Sequence, residues 1–124
     1  MPLQKTVFVV DDDPSMLKGV ERVLRHSGYM TQLFDSVDDF HRRARLQDAA
    51  CLVLDIDLNG KSGIELSREI ATSGCAVPVI FITGKDSDRI RKAAFEAGCI
   101  AYLGKPFEAK YLMEAVERAM AGSG

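Results

Sequence analysis

Four short apolar runs in this chain each lead into a polar side chain, and that punctuation leaves few folds open. Residues 7–10 (VFVV) run into Asp11 and Asp12, residues 52–54 (LVL) into Asp55, and residues 79–82 (VIFI) into Thr83. The fourth run, residues 100–103 (IAYL), reaches Lys105 through Gly104. Short β-branched runs alternating with helical spacing predict parallel strands of one sheet. The four polar ends then share one edge, the edge at which open α/β sheets bind ligands. Three carboxylates, a hydroxyl and an ammonium converging there suit a divalent metal and a phosphoryl group.

Bulk properties narrow the setting. The 124 residues make a single domain, 1–124, with a core of about 6–120 and a flexible tail at 121–124. A chain of this size buries roughly two-thirds of its unfolded surface. Lys and Arg total 16 against 18 Asp and Glu, a formal charge of −2 that argues against direct nucleic-acid binding. The N-terminus lacks the basic-then-apolar layout of a signal peptide. No apolar run approaches the ~20 residues that span a bilayer. A cytoplasmic protein without membrane contact is the expectation. Cys51, Cys75 and Cys99 make no CxxC pair and read as reduced structural residues, Cys51 and Cys99 buried and Cys75 more exposed.

Along the chain, the first strand covers residues 6–10. Asp13 caps a helix with Pro14 in its first turn and Leu17, Val20 and Leu24 on one face, ending at Gly28. Residues 30–34 make a more polar strand, as at a sheet edge. Asp35 or Ser36 caps a second helix with Val37, Phe40 and Ala44 on one face. The third strand covers 51–54, and a third helix runs from about 64 to 73. Residues 77–82 predict a doubly covered strand. A fourth helix, about 86–97, buries Ile90, Ala93, Ala94 and Ala97. A fifth strand (100–103) and a fifth helix (about 108–120) complete five βα units, for which right-handed crossovers favour a doubly wound arrangement.

The motifs VVDDD (9–13), LVLDIDLNGKSG (52–63), FITG (81–84) and YLGKPF (102–107), in this order, make the chain resemble the receiver domain of two-component response regulators. The stretches VPVIFITG and FEAGCIAYLGKPF look most like receivers of FixJ-type transcription regulators. The resemblance implies a flavodoxin- and CheY-like fold: a five-stranded parallel sheet, order 2-1-3-4-5, flanked by five helices. It also implies Asp55 as phosphoacceptor and Mg2+ as cofactor, for which Mn2+ can substitute. A carboxylate can attack phosphorus and form an acyl phosphate. Asp12 and Asp55 match direct metal ligands, Asp11 a ligand through water, and Asp57 a ligand through its backbone carbonyl. Lys105 and Thr83 match the phosphoryl-binding pair, and receivers hold the bond between Lys105 and Pro106 in cis. Three carboxylates around one lysine should raise at least one pKa when no metal is bound.

Thr83 and Tyr102 match the family's switch residues, which alter the face made by the fourth helix, fifth strand and fifth helix. That face is where dimerisation or output-domain contact is expected. Asp57 and Lys85 stand at positions that tune phosphoryl lifetime, and we expect them to pair across the mouth of the site. Asn59 departs from the proline usual in this loop, which suggests a more mobile loop. His26 and His41 lie on helices away from the strand ends, so the donor is expected to be a separate sensor histidine kinase or histidine phosphotransfer protein. The expected role is regulatory rather than enzymatic: the domain assists its own phosphorylation and dephosphorylation, and its output is transcription. A free-standing phosphorelay receiver is the near competitor. A haloacid-dehalogenase-like phosphohydrolase using Asp55 and Asp57 is a reading from another class, and a phosphorylation-independent interaction module is a third.

Overall fold

The computed structural model describes residues 6–122. Five strands, β1 (Thr6–Val10), β2 (Met30–Phe34), β3 (Cys51–Asp55), β4 (Val79–Thr83) and β5 (Ala101–Gly104), form one parallel sheet in the order β2-β1-β3-β4-β5. The helices α1 (Pro14–His26), α2 (Val37–Arg43), α3 (Gly63–Thr72) and α4 (Asp88–Glu96) connect them, with a short 3-10 turn at Leu46–Asp48, and α5 (Ala109–Gly122) follows β5. Alternation along the strands splits the core. Val7, Val9, Cys51, Val53, Ile80 and Ile82 face α1 and α5, while Phe8, Val10, Leu52, Leu54 and Phe81 face the side of α2, α3 and α4. All of these are fully buried, and each Val, Leu, Ile or Phe among them contributes about 1.5–3 kcal/mol of hydrophobic stabilisation.

The elements differ from the sequence expectations in instructive ways. Helix α5 continues to Gly122, so the first two residues expected in a tail are helical, while Ser123 and Gly124 lie outside the described residues. Helix α4 is shorter than expected because Ser87 caps it, accepting a hydrogen bond from Ile90 N. Of its four expected core residues only Ala94 is fully buried. Cys99 is half-buried, whereas Cys51 is sealed in the core, where burial pushes its thiol up to about 12.

The segment after Asp55 is not an irregular loop. Asp57–Leu58 pairs antiparallel with Lys61–Ser62, and Asn59 (φ 58°) and Gly60 (φ 85°) close the ribbon in left-handed conformations. This is the Asn-Gly hairpin turn, and a proline, held near φ −65°, could not occupy the Asn59 position.

Asp39 is a second departure, because an acid in a short polar helix reads as surface and here is 8% exposed. Arg43 donates to it through Nε (2.7 Å) and Nη2 (2.8 Å), and Asp35 N donates at 3.2 Å. The same guanidinium donates to the Leu33 carbonyl and lies 4.8 Å from the Phe34 ring centroid. The Arg43 hydrogen bonds hold the Asp39 carboxyl at about 2, against the opposing effect of burial. A depressed pKa stabilises the fold above the ordinary carboxylate range and loses that contribution as pH falls toward 2. Asp39→Asn should therefore cost about 1.5–3 kcal/mol near neutrality in urea denaturation. Its deficit against the parent should shrink in acid; a constant deficit would refute the ionic account.

Candidate functional site

In the order β2-β1-β3, the sheet reverses direction of winding between β1 and β3, and the crevice opens at their C-terminal ends. Val10 pairs with Leu54, so the next residues, Asp11 and Asp55, emerge side by side. Asp55 pairs with Ile82 and Thr83 with Gly104, which carries the same edge across β4 to β5 and on to Lys105. Backbone pairing thus brings together residues up to 94 positions apart in sequence.

Asp11 is fully buried and Asp55 is 4% exposed. Asp11 N donates to the Phe34 carbonyl, and Asp11 Oδ1 accepts from Asp13 N at 2.9 Å, tying the strand end to the start of α1. Asp13 itself caps α1, accepting from Ser15 N at 2.9 Å. Lys105 Nζ lies between the two buried acids, 2.9 Å from Asp11 Oδ2 and 3.0 Å from Asp55 Oδ2. Its backbone N donates to the Thr83 carbonyl at 2.7 Å, and the Lys105–Pro106 peptide is cis. The other Asp55 oxygen, Oδ1, accepts from Asp57 N at 3.1 Å.

Burial pushes the Asp55 carboxyl up to about 6, and the Asp11 charge adds to the rise. Lys105 and the Asp57 amide oppose it without cancelling it. Burial works against the Lys105 charge, but hydrogen bonds to Asp11 and Asp55 prevail and raise its pKa overall. The rise at Asp55 is therefore an effect of burial: the Lys105 hydrogen bond outweighs the Asp11 charge but not the loss of water. Carboxylate oxygens of Asp11, Asp12 and Asp55 lie within 4.8 Å of one another, and this acidic cluster could hold a metal ion. An all-oxygen donor set of this kind fits a hard divalent cation.

The remaining predicted residues surround this centre. Thr83 is 1% exposed and its Oγ1 accepts from Lys85 N at 3.0 Å. Lys85 Nζ sits 3.2 Å from Asp57 Oδ2, both side chains largely in solvent. Hydrogen bonding to Lys85 lowers the Asp57 pKa. A carboxylate held ionised in this way is poorly suited to act as a general acid, the role Asp57 would need in a phosphohydrolase with Asp55 as nucleophile. Tyr102 lies farther out on β5, its hydroxyl bonded to Asp86. His41 pairs with Glu69 on α3 at 2.7 Å, away from the crevice.

Gly63 was not among the predicted site residues. A Cβ built there would lie 2.1 Å from the Asp55 carbonyl oxygen and 3.2 Å from Ile56 Cα. The start of α3 therefore packs directly on the backbone that carries Asp55, a contact reinforced by Gly63 N donating to the Ile56 carbonyl. The only sequence cue is the glycine directly after Ser62, the N-cap of α3.

A doubly wound sheet whose switch-point crevice holds buried acids and a lysine defines a class of signalling domain, the receiver. The chain belongs to the response regulator receiver domain family, whose profile matches residues 7–117. It is a receiver domain of the two-component response regulators, and its relatives include transcription regulators. Nodulation protein W of Bradyrhizobium diazoefficiens is 34% identical over 91% of this chain and 50% of its own length. The transcriptional regulatory protein FixJ of Rhizobium meliloti is 32% identical over 92% of this chain and 56% of its own. The chain thus spans about half the length of the curated relatives it matches. Among solved structures, response regulator StyR is 37% identical over 95% of this chain and 60% of its own, with a TM-score of 0.86. The FixJ-N crystal structure is 30% identical over 98% of this chain and 96% of its own, with a TM-score of 0.82. Among the described residues no helix is long and apolar enough to cross a membrane.

Proposed function

We propose that residues 1–124 form one receiver domain that accepts a phosphoryl group on Asp55 from a sensor histidine kinase or a histidine phosphotransfer protein. The observation that carries this reading is the environment of Asp55: buried at a strand end, one oxygen against Lys105 and the neighbouring acids within metal-binding reach. Asp55 attacks phosphorus, the bond from phosphorus to the donor imidazole breaks, and the imidazole leaves with the bonding pair. Lys105 holds the acceptor in place and then faces the phosphoryl oxygens with its fixed charge. Asp11, Asp12, Asp55 and the Asp57 carbonyl would hold Mg2+, which when bound neutralises charge on the phosphoryl oxygens. Thr83 turns its hydroxyl from the Lys85 amide toward the phosphoryl group, and Tyr102 follows inward.

The domain is regulatory in this reading, assists its own phosphorylation and dephosphorylation, and acts in the cytoplasm. The change in the face built by α4, β5 and α5 passes to an output or a second subunit, and the half-length match to transcription regulators favours transcription as that output. The Asp57–Lys85 pair at the mouth tunes phosphoryl lifetime by screening the approach of water. Intact mass after incubation with magnesium and acetyl phosphate tests the acceptor. A single phosphoryl adduct in the parent, absent from Asp55→Asn and prevented by EDTA, is the expected result. No adduct, together with no beryllofluoride binding, would refute the reading.

A further inference from the structure

Tyr102 is held by contacts that the phosphoryl chemistry does not use. Its hydroxyl donates to Asp86 Oδ1 at 2.8 Å, and Asp86 Oδ2 accepts from Arg91 Nη2 at 2.9 Å. The Arg91 guanidinium returns to the same ring, 5.5 Å from its centroid, and the Phe95 ring lies 6.2 Å away on the next turn of α4. The circuit joins the segment after β4, helix α4 and strand β5. Asp86 is three residues beyond Thr83 and directly precedes Ser87, the cap of α4. A turn of the Thr83 hydroxyl toward the crevice therefore releases the amide of Lys85, the residue that directly precedes Asp86.

We propose that Asp86, braced by Arg91, is a positioning residue that latches Tyr102 outward and so sets how much of the phosphoryl group's binding free energy is used to throw the switch. The inference rests on the reading of Thr83 and Tyr102 as the switch pair. A ligand shifts an equilibrium only by its differential affinity for the two states, so an interaction made in one state alone subtracts from the apparent affinity for the other. The Asp86–Arg91 pair is itself half exposed and contributes little alone. Its effect is to hold the carboxylate where the Tyr102 hydroxyl needs it. Partial burial and the Asp86 carboxylate also raise the Tyr102 pKa, which keeps the phenol a donor. Helix α4 is anchored by one fully buried residue, Ala94, so the latch acts on an element that is otherwise lightly held.

The test is a double-mutant cycle on beryllofluoride affinity in magnesium, measured by calorimetry for the parent, Asp86→Ala, Tyr102→Phe and the double variant. Each single variant should bind about three- to tenfold more tightly, the range expected for loss of one hydrogen bond from the unliganded state when its acceptor is half exposed. The double variant should be no tighter than the better single one. A merely electrostatic effect of removing a carboxylate near an anion site would persist undiminished in the Tyr102→Phe background, and that result would overturn the latch. So would unchanged affinity in both single variants. A parent that neither binds beryllofluoride nor forms the phosphoryl adduct would instead remove the phosphoacceptor reading, and the latch with it.

Discussion

Asp55→Asn should make the metal-free protein more stable near neutrality and remove most of its response to magnesium. The reason is the burial of the Asp55 carboxylate at the crevice. In the folded protein the Asp55 carboxyl titrates at about 6 rather than at its ordinary 3.8, chiefly because it is buried and then because Asp11 is close. A raised carboxylate pKa means that the fold binds the proton better than the unfolded chain does. Below the ordinary value both states are protonated and nothing is lost. Between about 4 and 6 the fold loses stability as pH rises, and above 6 the full loss remains. A shift of this size corresponds to roughly 3 kcal/mol at most. Asparagine removes the charge while Lys105 keeps Asp11 as a partner, so a gain of about 1–3 kcal/mol is expected at about pH 8 in EDTA. The gain should fade at about pH 4. Magnesium should raise the parent's melting temperature by binding the folded state alone, and should do much less for the variant. Urea titrations at the two pH values, with and without magnesium, measure all of this. A variant less stable than the parent at the higher pH without metal would show that the Lys105 hydrogen bond outweighs the cost of burying the Asp55 charge.

Gly63→Ala should damage both the fold and the site. The added methyl would sit 2.1 Å from the Asp55 carbonyl oxygen and 3.0 Å from its carbonyl carbon. Both are backbone atoms of a central strand and cannot rotate aside. Either α3 backs away, giving up packing of Ile64 and Leu66, or the end of β3 moves and takes Asp55 out of line with Lys105. Overpacking of this kind costs about 3 kcal/mol, and more where only backbone can yield. We expect a lower denaturation midpoint together with weakened beryllofluoride binding. Full affinity in a destabilised variant would mean that α3 gave way and the strand did not.

How much of this was legible before the fold was known varies by element. The strand ends were, because a β-branched run that stops at an acid, a hydroxyl or a Gly-Lys-Pro turn marks both the strand and its functional edge. The Asn59-Gly60 ribbon was also legible in principle, since that dipeptide is the strongest short hairpin signal. The missing proline marked the departure in this loop, but the turn type itself is carried by Asn59 and Gly60. Asp39 was not legible, because its burial depends on Arg43 reaching back one turn while stacking on Phe34 from another element. The burial of α4 was overread for a related reason. Helical spacing shows which face is apolar, but not how closely the sheet approaches it, and Ile90, Ala93 and Ala97 end only half-buried.

The sequence by itself determined the element order, the four polar strand ends and the family, because those depend on local periodicity and on motifs read in order. Only the tertiary structure decided what those groups do to one another. The seating of Lys105 between Asp11 and Asp55, the burial that makes Asp55 the acid whose pKa rises, the seating of α3 against the Asp55 carbonyl and the hold of Asp86 on Tyr102 all depend on separations of a few ångströms between different elements. Charge and contact energies change steeply over such distances, and no spacing along the chain encodes them.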